Sequence, residues 1–232
     1  MGFWCANDIE RAGRPEKVLV MPLTVHYRYD FRDRSRISAS LDRIEKLLGQ
    51  KPVRVRRSEI TTQQLYNRIE PIESQLLELT EDHYASSFGY LPQKALLADE
   101  DAPTARQRRW ETLLPFVLTV AENMLGIIPK NDDLVERMYR ARLQAWDRIY
   151  PESPVKHLTP LETVLANRRT AEAWYAMRHV ELVDLMSYHD AAYLDGGESK
   201  IPSFDRIVET VISMEDLANR LMGGNITNRP NV

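Results

Sequence analysis

Residues 18–25, with the sequence VLVMPLTV, decide the predicted fold of the N-terminal part of this 232-residue chain. The stretch carries no charge and is rich in β-branched and large aliphatic residues, which predicts a buried β-strand. Pro22 cannot donate a hydrogen bond to a neighbouring strand, so we expect it at a sheet edge or a bulge. A buried strand needs neighbours, and only one strand of this quality is evident in the sequence. We therefore expect residues 1–36 to be the last part of a sheet domain that begins upstream.

The same segment resembles the glycerolipid acyltransferase superfamily, which contains the 1-acyl-sn-glycerol-3-phosphate acyltransferases. The stretch VMPLTV at residues 20–25, around Pro22, looks like the family's strand of the form aliphatic-aliphatic-Pro-aliphatic-aliphatic. GFW at residues 2–4 looks like the end of the segment that follows the family's Phe-Pro-Glu-Gly substrate loop. The resemblance covers about 30 of the 232 residues. It implies acyl transfer from acyl-CoA or acyl carrier protein to a lysophospholipid or glycerol phosphate, and it makes His26 a candidate contact for the substrate phosphate.

The catalytic motif of that family is His-x4-Asp, in which the His is a general base and the Asp orients its imidazole. We expect this motif upstream of the chain, and no Phe-Pro-Glu-Gly occurs in the sequence. His179 and Asp184 match the spacing, but they lie in a helical pattern that leaves their side chains about 140° apart. We therefore predict no catalytic residue here. The chain is expected to be inactive alone, and the missing N-terminal acyltransferase half is its implied partner.

Composition is that of an ordinary globular protein, with 43% hydrophobic and 28% charged residues. The single cysteine, Cys5, excludes an intrachain disulfide and fits a reducing cytosol, so we expect a cytoplasmic protein. Leu113–Ile128 is the most apolar window, but it carries Glu122 and is too short to span a bilayer. The basic residues Arg106, Arg108 and Arg109 and the aromatic Trp110 precede this window. Two interpretations are open: a helix that lies in a membrane interface, or a helix buried in the core of the bundle. Apolar residues cover most of the circumference of the helix, which favours the buried core helix.

Charge is distributed unevenly along the chain. Residues 1–60 contain 13 Lys or Arg against eight Asp or Glu, whereas residues 61–232 contain 18 against 26. The basic residues around Arg28–Arg36 and Lys51–Arg57 could face anionic lipid head groups, but a solvated linker and helix rim are favoured. Membrane association stays an open alternative. The net charge of −3 and the lack of a stacking motif argue against nucleic acid.

Histidine spacing gives no sign of a metal site. None of the five histidines forms the pair three or four residues apart that a helical zinc site uses, and no Gly-rich phosphate loop is present. We therefore expect neither metal nor cofactor. The histidines are His26, His83, His157, His179 and His189.

Apolar periodicity predicts a mainly α-helical protein after the strand, with a helical connector at residues 37–102 and a helical bundle at residues 103–232. Predicted helix starts are Ser40, Thr61 with Gln64, Thr104 with Gln107, Asn131, Thr159 with Glu162, and Ser203.

Three tryptophans at helical spacing, Trp110, Trp146 and Trp174, are expected to anchor the core of this bundle rather than to line a ligand groove.

Two functions therefore follow from the sequence. The first is the C-terminal portion of a glycerolipid acyltransferase-like protein that completes the sheet of its catalytic half. The alternative is a non-catalytic helical interaction or scaffold domain whose N-terminal strand pairs with another chain.

Overall fold

A computed structural model describes residues 9–14, 29–30, 33–53, 60–95, 101–128, 130, 133–151, 157–187 and 203–223. This part of the chain consists of helices and contains no strand, which confirms the mainly α prediction for the described residues. The proposed strand at residues 18–25 and its Pro22 lie outside them. A helical turn at residues 9–11 precedes six longer helices: α1 Arg34–Leu47, α2 Thr62–Phe88, α3 Ala102–Met124, α4 Leu134–Ile149, α5 Pro160–Ser187 and α6 Phe204–Met222.

Helix starts follow side-chain capping, which supplies partners to the free N–H groups of the first turn. The predicted capping box of Thr61 and Gln64 is confirmed, as is Ser203 at the start of α6. Two predicted starts are wrong by two or three residues. Asp101, not Thr104, caps α3, because its carboxylate accepts the Thr104 N–H at 2.9 Å.

The next helix shows the same shift. Asp133 caps α4 by accepting the Glu136 N–H at 2.8 Å, so the helix begins after Asp133 rather than at the predicted Asn131.

At the C-terminal end of α2, Gly89 adopts a left-handed conformation with φ of 77°, which terminates that helix. The first helix, α1, begins at Arg34, six residues before the predicted start at Ser40.

One apolar core joins helices from both ends of the described chain. The C-terminal helix α6 packs against α1 and α2, and α5 packs against α3 and α4. The core contains residues on both sides of residue 102, and the proposed boundaries at residues 36 and 102 stay predictions. Fully buried side chains at its centre include Leu41, Leu65, Leu76, Trp110, Leu113, Val183, Ile207, Val211 and Leu217.

Buried carboxylates also join neighbouring helices, each through an arginine. Four such pairs are Glu45–Arg68 at 2.8 Å, Glu81–Arg109 at 2.5 Å, Glu122–Arg137 at 2.7 Å and Asp216–Arg178 at 2.8 Å. They connect α1 to α2, α2 to α3, α3 to α4 and α5 to α6. Because an unpaired buried charge is costly, these pairs constrain which helices can be neighbours.

Candidate interaction surface

The helix α4 has two apolar faces of different character. On one face Ala141, Ala145 and Ile149 are buried in the core, and Leu134 and Met138 pack beside them. This face is made partly of small side chains, which allow the backbone of α4 to approach α5 closely. Burial of this face is what attaches α4 to the bundle.

The second face carries large side chains and is open to solvent. We call it the α4 apolar face, and its five side chains are between 46% and 65% exposed. At about 100° per residue they fall within an arc of about 80°, centred about 120° away from the buried face. The rings of Trp146 and Tyr150 pack on each other with centroids 4.6 Å apart. Its members are Val135, Tyr139, Leu143, Trp146 and Tyr150.

Arginines fix the orientation of α4 and so determine which face is left open. Arg137 binds the buried carboxylate of Glu122 on α3, which raises the pKa of the Arg137 guanidinium. Arg142 lies 3.0 Å from Glu181 on α5, and Arg148 donates hydrogen bonds to the carbonyls of Met124 and Leu125. These contacts lie on the sides of the helix that face α3 and α5. The α4 apolar face is therefore left about half exposed to solvent.

A groove runs beside this face between α4 and α5. It has a volume of about 270 Å³, and Val135 and Tyr139 form one wall while Met177 and Val180 form the other. A more polar cavity of about 470 Å³ adjoins it between α5 and α6, and Arg142 and Asp184 line both. The α4 apolar face is thus continuous with an indentation in the surface.

Charges in the polar cavity are largely neutralised within the protein. Arg178 lies 2.8 Å from Asp216 and 3.1 Å from Glu181, and Glu181 also binds Arg142. Burial raises the pKa of Asp184, which lines the cavity wall. Because acids and arginines alternate here, the cavity has no strong preference for an anion or a cation.

A second concentration of titratable groups is a partly buried cluster between α2 and α5. The hydroxyl of Tyr84 lies 3.2 Å from Nδ1 of His179, and Nε2 of His83 lies 2.7 Å from the hydroxyl of Tyr175. His179 is only 1% exposed, and burial lowers its pKa to about 3, so it is neutral at physiological pH. A side chain this enclosed cannot reach a substrate in solution, so His179 has a structural role in this conformation.

The structure separates the two residues that match the His-x4-Asp spacing. His179 is buried against α2, whereas Asp184 lies at the cavity beside Arg142. The remaining motif residues of the acyltransferase resemblance, Pro22 and His26, lie outside the described residues, as does Cys5. The acyltransferase resemblance therefore stays a prediction.

Two other expectations concern tryptophan. Trp110 is fully buried, and Arg106 and Arg109 pair with Glu73 and Glu81 of α2, so this part of α3 belongs to the core rather than to a membrane interface. The prediction that Trp146 anchors the core is wrong, because its side chain is about half exposed. The sequence did carry a signal for this: α4 has apolar residues on more of its circumference than one buried face needs.

Metal-ligand clusters and membrane-spanning helices are both absent from the part of the chain that the structure describes. Across the described residues, no group of three or more His, Cys, Asp or Glu side chains could hold a metal ion. Nor is any helix within the described ranges long and apolar enough to cross a membrane. Comparison with family models, with curated proteins and with solved structures found no match to this chain.

Proposed function

We propose that the helical part of this chain is a non-catalytic interaction module that binds another protein surface through the α4 apolar face. The observation that carries this proposal is the second, exposed apolar face of α4. A surface helix of a globular protein usually has one apolar stripe, which faces the core. In α4 the buried stripe already provides attachment, so the exposed area of the second stripe is available to a partner.

The size of the face supports the same conclusion. Each of its five side chains exposes on the order of 100 Å², which gives about 500 Å² of largely contiguous area. The largest apolar patch on a typical monomer is about 300–600 Å² and is often functional. At about 25 cal/mol per Å², complete burial of this area would contribute roughly 12 kcal/mol before the costs of association are subtracted. That is enough to support a specific contact.

Chemistry elsewhere in the described part favours binding over catalysis. His83 and His179 each lie within hydrogen-bonding distance of a tyrosine hydroxyl of the bundle. Two arginines of the polar cavity, Arg142 and Arg178, pair with Glu181 and Asp216 respectively. A binding role requires none of these groups to react, and it uses the apolar surface that the bundle leaves exposed on α4.

Site-specific photo-crosslinking in cells tests this function. A benzophenone amino acid replaces Tyr139 on the α4 apolar face, and the matched control replaces Gln144, which is exposed on the same helix about 140° away from the centre of the face. We expect a discrete crosslinked species from position 139 that is absent from position 144. Equal crosslinking from both positions, or none from position 139, would show that the face binds no protein.

A further inference from the structure

Four of the five positions of the α4 apolar face form two symmetric pairs along the helix. Val135 and Tyr150 lie at equal distances from a point between Arg142 and Leu143, and so do Tyr139 and Trp146. The fifth member, Leu143, lies next to that point. With a rise of about 1.5 Å per residue, the outer pair is about 22 Å apart and the inner pair about 10 Å apart.

A symmetric stripe is what a two-fold interface requires. In such an interface the same patch is used on both copies, so residue i of one copy contacts residue j of the other and the reverse contact also occurs. An antiparallel second α4 would place Tyr150 of the second copy opposite Val135 and Trp146 of the second copy opposite Tyr139. Leu143 would meet its own equivalent near the axis. Every large side chain of the face then has an apolar counterpart.

We propose that the occupant of the α4 apolar face is α4 of a second copy of this chain, packed antiparallel about a two-fold axis beside Leu143. This inference rests on the proposed function and specifies its partner. An antiparallel second copy centred here makes use of this symmetry, whereas an unrelated partner would not require it.

Electrostatics permit this arrangement. The five members of the face carry no formal charge, so the contact buries none of their charges. Arg142 is the charged residue nearest to the axis, and its guanidinium is already 3.0 Å from Glu181 of its own chain. Two copies therefore bring together neutralised pairs near the axis rather than two uncompensated cations.

The area sets the expected strength of the dimer. Two copies of the face would bury about 1,000 Å² in total, which is the lower limit for specific protein interfaces. Interfaces of this size form reversible complexes. We therefore expect a concentration-dependent monomer–dimer equilibrium rather than an obligate dimer.

Sedimentation velocity of the full chain over a range of concentrations measures its dimerisation and so tests the proposal. Two variants place opposite charges at position 143, beside the axis. In Leu143→Glu two carboxylates face each other across the axis, and in Leu143→Lys two ammonium groups do. Each variant should weaken dimerisation at least about 10-fold, because like charges in contact cost several kcal/mol. An equimolar mixture of the two should form a heterodimer again, because opposite charges then meet.

The matched control is Gln144→Glu, one residue along the helix but outside the face, which should dimerise like the unchanged protein. Circular dichroism of all variants should show the same helical content, because residue 143 is on the surface.

Several results would overturn the proposal: an unchanged chain that stays monomeric at the highest concentration, equal effects at positions 143 and 144, or a mixture of the Leu143→Glu and Leu143→Lys variants that does not associate. A monomeric chain whose position 139 still crosslinks to a different protein overturns the second copy as partner but leaves the proposed function standing.

Discussion

The hydroxyl of Tyr84 lies 3.2 Å from Nδ1 of His179, and this contact joins α2 to α5 inside the bundle. The ring of His179 also stacks on Tyr175, with centroids 4.3 Å apart. Its Nε2 atom is buried and has no hydrogen-bond partner among the described residues. An imidazole in this position is stable only when neutral, because a buried cation without a counterion is costly.

Acid should therefore destabilise the protein through His179. Burial, together with the nearby charges of Arg220 and His83, lowers the pKa of His179 to about 3 in the folded state, against about 6.5 in the unfolded chain. The unfolded state then binds the proton below pH 6.5, so this contribution is complete above pH 6.5 and is lost as the pH falls towards 3. Between pH 6.5 and 5 we expect His179 to account for a loss of about 1.6 kcal/mol in unfolding free energy, measured by urea titration.

A variant separates this effect from other acid effects. His179→Gln keeps a hydrogen-bonding group near Tyr84 but cannot titrate, so its stability should fall less between pH 7 and 5 than that of the unchanged protein. Burial also lowers the pKa of His83, which should leave a smaller residual dependence in the variant. Identical pH profiles for the two proteins would contradict this assignment.

The buried pair of Arg68 and Glu45 gives a second prediction. The Arg68 guanidinium contacts both Glu45 oxygens at 2.8 Å and the hydroxyl of Ser38 at 3.0 Å, and both charged side chains are almost fully buried. Arg68→Met leaves the Glu45 carboxylate buried without its main counterion, so we expect a loss of about 3–5 kcal/mol in unfolding free energy.

The double variant Arg68→Met with Glu45→Leu removes both charges, and its stability should recover most of that loss. Chemical denaturation of the two variants and of Glu45→Leu alone measures the coupling. A double variant that is less stable than Arg68→Met would mean that the pair stabilises the fold beyond neutralising its own charges.

Two tryptophans should respond differently to the same substitution. Trp110 is fully buried in α3, so Trp110→Ala should cost about 3–5 kcal/mol through lost burial and the remaining cavity. Trp146→Ala removes a half-exposed ring and should change the stability of the monomer by less than about 1 kcal/mol. Thermal unfolding at low protein concentration makes the comparison, and equal losses would mean that Trp146 is part of the core.

The start of α3 offers a test of helix capping. Asp101 accepts the N–H of Thr104, whereas the sequence pattern favoured Thr104 itself as the cap. Asp101→Ala should lower Tm by about 2–4 °C, because a free N–H group of the first turn loses its partner. Thr104→Ala should have a smaller effect, since its backbone N–H is retained. The reverse order of effects would support the sequence-based assignment.

The sequence by itself determined which segments form helices, because helix formation depends on local features that neighbouring residues provide. The Thr61–Gln64 capping box, the Ser203 cap and the Thr159-Pro160 start required nothing distant. Errors at Thr104 and Asn131 arose where an aspartate, close in the chain, competed for the same role. Local spacing also correctly separated His179 from Asp184, since helix geometry alone places them on different faces.

Tertiary structure alone decided which apolar face of each helix is buried. In α4 both stripes satisfy a helical period, and the pairing of Arg137 with Glu122 and Arg142 with Glu181 fixes the helix so that its small side chains face α5 and Trp146 faces solvent. The same is true of the contact between Tyr84 and His179, which are 95 positions apart. Such contacts depend on how whole helices pack, and periodicity within one helix carries no information about its neighbours.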